Sequence, residues 1–203
     1  MAATPSSDVA FTGSVKALQS QRGSRSAYAR MEQQGGFATE LTDDVADFIR
    51  AQTSVFFATA NAAGQPYVQH RGGPAGFLHV LDGHTLAWAE YRGNRQFISQ
   101  GNLADNPKAH LFLIDYQHRQ RVKVWGEARV VTDDPALLAR LSTNAGPKVK
   151  ADQVIVFKVI AWDANCPAHI PQRLEAADVR AALEARDARI AALEKELATF
   201  RAK

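Results

Sequence analysis

The amino-acid sequence predicts an α+β protein, mainly β, centred on a closed antiparallel β-barrel with N-terminal helices and a long C-terminal helix. Three observations predict it. Six or seven short apolar runs between residues 53 and 162 are joined by tight-turn signals and one helical stretch, a hairpin pattern rather than a succession of βαβ crossovers. Within Arg121–Val131, Val122, Val124, Ala128 and Val130 alternate with Arg121, Lys123, Glu127 and Arg129, so one face is dry and the other wet. Beyond Pro171 the apolar period changes to alternating steps of four and three, which belongs to a helix.

The elements follow in chain order. Residues 1–12 are polar and predict no element. Gly13 to Gln34 has helical composition interrupted by Gly23, which predicts two short helices closed by Gly35-Gly36. They form either a basic, solvated cover on the core or a partner contact. Thr42 or Asp43 caps the next helix, DDVADFIRAQ, with Val45, Phe48 and Ile49 on one face. SVFFATA reads as a buried strand, Asn61 to Gly64 as a turn, Gln65 to His70 and Gly76 to Leu81 as two further strands. Asp82-Gly83 is a hairpin turn into a strand over Thr85 to Ala89.

A helix is predicted from Arg95 to Ala104, ending before Pro107. Ala109–Asp115 and Arg121–Val131 are the next strands. Asp134 caps and Pro135 opens a short helix through Leu141, and Val154–Trp162 is the last strand. The C-terminal stripe consists of Ala176, Val179, Leu183, Arg186, Ile190, Leu193, Leu197 and Phe200, a heptad a/d pattern interrupted at Arg186. Such a helix either pairs with another or lies on the barrel. The predicted divisions are 1–40 for the N-terminal tail and helices, 41–165 for the barrel, and 166–203 for a linker and the C-terminal helix.

Composition bounds the function. The chain has 203 residues, 46% hydrophobic and 22% charged, enough to bury a core without disulfides. Its single cysteine, Cys166, excludes an intrachain disulfide and fits a reducing compartment. No apolar segment has the length of a signal-peptide core or approaches the roughly 18 residues of a membrane span, so a cytoplasmic protein without membrane contact is expected. The net charge of +3 is spread along the chain with no aromatic-interleaved basic stripe, which argues against nucleic acid.

The histidines His70, His79, His84, His110, His118 and His169 show no ligand spacing and there is no CxxC or HExxH, so no metal is expected. A GxSxG elbow, a GxGxxG fingerprint and a Walker lysine are all missing. What remains is an anion site in two Gly- and Arg-bearing segments, HRGGPAG and YRGNRQ. Asn94 is placed to cap a helix opening at Arg95, leaving backbone N–H groups and the positive end of the helix dipole beside a guanidinium. Ser99 and Asn102 lie one and two turns further in as neutral donors. Arg71, leaving its strand into Gly72-Gly73, is a second candidate fork for a phosphate.

The order HRGGPAGF, GNRQFISQGNLADNP, AHLFLID and RQRVKVWGEARVV resembles the FMN-binding split-barrel family typified by pyridoxamine 5′-phosphate oxidase, over roughly residues 40–165. The chain looks like a divergent branch of it. The resemblance implies a homodimer with FMN at the subunit interface. Arg71, Gly72, Gly73, Pro74, Ala75 and Phe77 would lie along the flavin ring and ribityl chain. Asn94, Arg95, Ser99 and Asn102 would hold the phosphate, and Gln120 or Arg121 would reach the ring. It implies an FMN-dependent oxidoreductase passing hydride between a reduced donor, NAD(P)H being one candidate, and a small molecule through flavin N5. A non-catalytic flavin binder or redox sensor is the alternative, and a haem- or deazaflavin-binding relative another. The resemblance also sets Cys166 and His169, bracketed by Pro167 and Pro171, near the substrate face as candidate catalytic groups; a structural joint is the competing reading.

Overall fold

Seven strands and six α-helices build the described part of the chain, residues 4–142, 151–164 and 167–202 of a computed structural model. A 3-10 turn, Ser6–Val9, precedes α1 (Gly13–Gln21), α2 (Arg25–Gln33) and α3 (Asp43–Ala51). The strands are β1 (Ser54–Ala60), β2 (Pro66–Gly72), β3 (His79–Asp82) and β4 (Thr85–Tyr91), then, after α4 (Ile98–Asp105), β5 (Lys108–Asp115) and β6 (Gln120–Val131). Helix α5 (Pro135–Leu141), β7 (Ala151–Ala164) and α6 (Ala176–Arg201) complete it. The sheet order is β2-β1-β5-β6-β7-β4-β3, antiparallel throughout. The α+β expectation therefore holds, and the barrel is split, as the family resemblance implies, rather than closed.

Two compact units emerge, Met1–Ile114 with Arg121–Cys166, and Asp115–Gln120 with Pro167–Lys203. In the first, the inward faces of the strands meet in one core: Val55, Phe57, Leu86, Trp88, Leu111, Leu113, Val124, Ile155 and Phe157 are almost wholly buried. Phe57 and Trp88 pack edge to face, with ring centroids 5.3 Å apart. Helix α3 adds Val45 and Ile49 to this core, as its amphipathic spacing predicts, with Phe48 packed against it from the edge. On the outer side, Leu137, Leu138 and Leu141 of α5 cover Ala87, Ala89 and Val154. Asp134 caps α5 by accepting from the Leu137 N–H at 2.8 Å, so the predicted cap is present. The N-terminal segment belongs to the same unit, where Phe37 stacks on Trp125 and Phe11 meets both Phe37 and Tyr28.

Among the differences from expectation, three have a local reason. Strand β1 is buried on alternate residues only, leaving Phe56 37% exposed, because the sheet covers just one of its faces there. Strand β3 begins at His79 rather than Gly76, since Gly76 has φ +84° and sits in a turn whose Phe77 N–H bonds back to Pro74. Helix α4 begins at Ile98 rather than Arg95. Arg95 and Phe97 both adopt left-handed φ values, 60° and 55°, which no continuous helix tolerates.

In the second unit, the tip between β5 and β6 is tied to the segment leading into α6. The Arg119 guanidinium donates to the carbonyls of Ile170 at 3.1 Å and Pro167 at 3.4 Å, and Arg173 stands 4.1 Å over the Tyr116 ring. Gln117 bridges the Gln172 side chain and Asp178. Every residue of α6 is exposed or only slightly covered, with none buried.

Two consequences for stability are measurable. At Gly126, where β6 shifts register against β7, an added Cβ would stand 2.2 Å from the Lys158 carbonyl and 2.4 Å from the Phe157 ring. Gly126→Ala should cost about 3 kcal/mol or more in urea unfolding, since rigid backbone and a fully buried ring must both move. A loss below about 1 kcal/mol would contradict this packing. His110 on β5 is held neutral to about pH 4, by burial first and the Lys123 charge second. Its folded pKa lies below its unfolded value of about 6.5, so between those pH values only the unfolded chain takes up the proton. Stability should fall as pH drops through that window, and a His110→Phe variant should show a shallower fall. Identical pH profiles of Tm for the two proteins would rule it out.

Candidate functional site

The site forms where the sheet fails to close. Strand β2 pairs only with β1, and β3 covers β4 only from Thr85 to Ala87, so the rest of β4 faces β2 without a ladder. A cavity of about 290 Å3 lies along this seam, lined by β2, the second half of β4, the loop 92–97 and the start of α4. Arg71 of β2 crosses the seam to Glu90 of β4 as a two-pronged ion pair, Nε to Oε2 at 3.0 Å and Nη2 to Oε1 at 2.7 Å. Both side chains are close to nine-tenths buried.

Charge in the cavity is unevenly matched. Arg71 is neutralised by Glu90, and Arg92 by Asp152 at 2.6 Å. Arg95 has no carboxylate partner among the described residues and stands 5.7 Å over the Phe97 ring. One guanidinium is left uncompensated at the cavity wall. Next to it, the N-terminus of α4 has no side-chain cap, so its first N–H groups lack intrahelical partners. The Ser99 hydroxyl one residue into α4 and the Trp88 indole N–H on β4 are both buried and make no hydrogen bond among the described residues. A buried unpaired donor costs about 1–3 kcal/mol, and both of these belong to residues that line the cavity. Tyr91 also lines the wall, and burial pushes its phenol pKa upward, keeping it protonated.

Six of the fourteen sequence-predicted site residues gather at this seam. Arg71, Gly72, Phe77, Asn94, Arg95 and Ser99 all line the cavity. Asn94 does not cap α4 as expected; Phe97 holds that position, and Asn94 Oδ1 accepts from the Gln96 N–H within the loop at 3.3 Å. Gly73 is explained by packing, because a Cβ there would stand 2.6 Å from Phe77 Cβ. Pro74 and Ala75 form the turn after β2 and are not in the cavity wall. Asn102 faces Thr59 instead, donating to its hydroxyl at 3.0 Å, and so fastens α4 to β1. Arg121 belongs to the barrel but not to the cavity wall, and its buried Nε has no hydrogen-bond partner among the described residues. Gln120 falls in the other unit, as does His169, which is exposed with φ +65°. Cys166 lies outside the described residues.

Trp88 and Glu90 were missed in the sequence. TLAWAEY reads as a buried strand, and the only hint was a polar indole and a carboxylate within a run otherwise apolar. A second cavity of about 520 Å3, lined by Thr59, His110, Trp125 and Ile160 among others, is larger, but none of its lining residues carries a buried unpaired donor. The seam is therefore the stronger candidate. Among the described residues, no group of three His, Cys, Asp or Glu side chains could hold a metal ion, and no helix is long and apolar enough to cross a membrane.

A split barrel with a cavity along its open seam is the class these features define. The family model for pyridoxamine 5′-phosphate oxidase matches residues 41–166, and the chain belongs to that family. Solved structures of the same fold include HupZ of Group A Streptococcus, 18% identical over 61% of this chain and 92% of that one, with a TM-score of 0.50. An FMN-binding protein from Syntrophomonas wolfei is 13% identical over 74% and 97%, with a TM-score of 0.49. HutZ, the haem storage protein of Vibrio cholerae, is 18% identical over 59% and 89%, with a TM-score of 0.42. At 18% identity the likeness to HupZ is one of fold alone. No curated protein matches the chain.

The seam predicts its own energetics. Glu90→Gln should destabilise the protein by about 3 kcal/mol, because it strands the buried Arg71 charge. Ser99→Ala should cost the ligand-free protein less than about 0.5 kcal/mol, since that hydroxyl has no partner to lose. Thermal or urea unfolding of the two variants checks the contrast, and a large loss for Ser99→Ala would mean a bond within the chain.

Proposed function

We propose that the protein binds FMN in the seam and acts as an oxidoreductase on a small molecule. The observation that carries this is the pairing of an uncompensated Arg95 with two buried, unpartnered donors, Ser99 Oγ and Trp88 Nε1, at an uncapped helix start. Those groups suit a phosphate monoester with polar chain attached: a doubly charged anion beside one free cation, and neutral donors for its remaining oxygens.

Bound FMN would supply hydride transfer, the chemistry that this chain lacks in its own side chains. The residues do the rest. Arg95 and the first N–H groups of α4 hold the phosphate, and Ser99 donates to it. Trp88 donates from β4, and the Arg71–Glu90 pair keeps β2 and β4 at the separation the ligand needs. At about 290 Å3 the cavity sits at the bottom of the roughly 300–1,000 Å3 typical of small-molecule sites. A flavin therefore requires a further wall, and a second barrel in a homodimer provides it.

Binding FMN without turnover is the rival reading, and the donor, NAD(P)H or another, separates the two: the oxidoreductase reading expects reduction of the bound flavin, the rival none. The binding itself is tested with FMN and riboflavin in parallel. Arg95→Ala and Ser99→Ala should each weaken FMN about 10- to 100-fold while changing riboflavin much less, because riboflavin has no phosphate to lose. Arg71→Ala should weaken both together through the lost pair with Glu90. Equal losses for both ligands at Arg95, or extraction of haem rather than flavin from the purified protein, would sink the assignment.

A further inference from the structure

Helix α6 presents an apolar stripe to water. Val179, Leu183, Ile190, Leu193 and Leu197 are between 40% and 51% exposed, and Phe200 is 84% exposed. A lone helix gains little stability from such side chains, and an exposed stripe of this length marks a surface that another element covers. Its spacing, Ala176, Val179, Leu183, Arg186, Ile190, Leu193, Leu197, Phe200, is that of coiled-coil positions a and d. The stripe is too narrow for a helix sunk into a core, whose apolar face spans further.

We propose that α6 pairs with α6 of a second copy of this chain as a parallel two-stranded coiled coil. The flanking charges select both partner and direction. In a parallel pair each g residue faces the e residue five positions on in the other helix. Those pairs are Glu175–Arg180, Arg189–Glu194 and Glu196–Arg201, all of opposite sign, and Ala182–Asp187, which has no conflict. An antiparallel pair with full overlap keeps opposite signs only between Arg180 and Glu194 and sets Arg189 against Arg189 and Asp187 against Asp187 at its centre. Like charges there oppose it. Arg186 is the one charged residue in the stripe, at a d position, where Asp187 at the neighbouring e position of the second copy lies within reach of its guanidinium. A single polar residue in the seam lowers stability but holds a register.

This interface is separate from the barrel seam and from the flavin reading, so either can fail alone. The test is disulfide trapping in the full-length chain, with Cys166→Ser as background. Val179→Cys and Leu197→Cys should each form a dimer with itself under mild oxidation, whereas Ala188→Cys, on the outer face, should not. Cross-linking only in a Val179→Cys/Leu197→Cys double variant would mean an antiparallel pair. That result, cross-linking at none of these positions, or equal cross-linking at Ala188, overturns the proposal. A second measurement uses charge. Arg189→Glu should lower trapping of Leu197→Cys about threefold, and adding Glu194→Arg should restore it. Restoration follows from the parallel pairing alone, since the antiparallel one still sets the two introduced carboxylates against each other. Its absence would count against the proposal.

Discussion

A sheet that does not close through backbone pairing must be closed by side chains, and here that task falls to Arg71 and Glu90. The two strands that meet at the gap share no ladder, so their spacing is set by one two-pronged ion pair buried almost completely on both sides. Such a pair is costly to form and more costly to break on one side only. It persists because the alternative, full backbone pairing, would fill the cavity. Without the gap, Trp88 would be an ordinary core tryptophan.

The electrostatic arrangement follows from the same gap. Two of the three arginines on its wall are matched by carboxylates from β4 and β7, which leaves the third to set the local sign. The left-handed backbone at Arg95 and Phe97 costs on the order of 1–3 kcal/mol per residue, and it is located where the chain turns from the loop into α4. That turn brings Ser99 under the wall and leaves the helix start uncapped. Strain, missing hydrogen bonds and unmatched charge therefore coincide within five residues, while the core behind them, from Phe57 to Phe157, is fully packed.

Much of the fold could be read from the chain because the responsible signals are local. The alternation along Arg121–Val131 has one solution, and Asp134-Pro135 has one helix start. The site was legible only in part. HRGGPAG and YRGNRQ pointed to the right segments, yet which arginine is free depends on Glu90 and Asp152, contributed by strands far apart in sequence. Non-glycine residues with positive φ carry no local mark, so α4 was expected three residues early and Asn94 was given a capping role that Phe97 occupies. Asn102 is expected at the ligand as a neutral donor two turns into the predicted helix; only the packing of α4 on β1 reveals its bond to Thr59.

The tie between Arg119 and the carbonyls of Pro167 and Ile170 has a bearing on which changes the gene can accumulate. Tips of β-hairpins ordinarily absorb insertions and deletions at little cost. Here the tip supplies the hydrogen-bond donors for another segment 48 to 51 positions away. Lengthening it by even a residue would move the guanidinium off both acceptors. Drift in length should therefore be suppressed at this hairpin and concentrated elsewhere, for instance at Asn61 to Gly64, whose turn is closed by its own side chain and backbone.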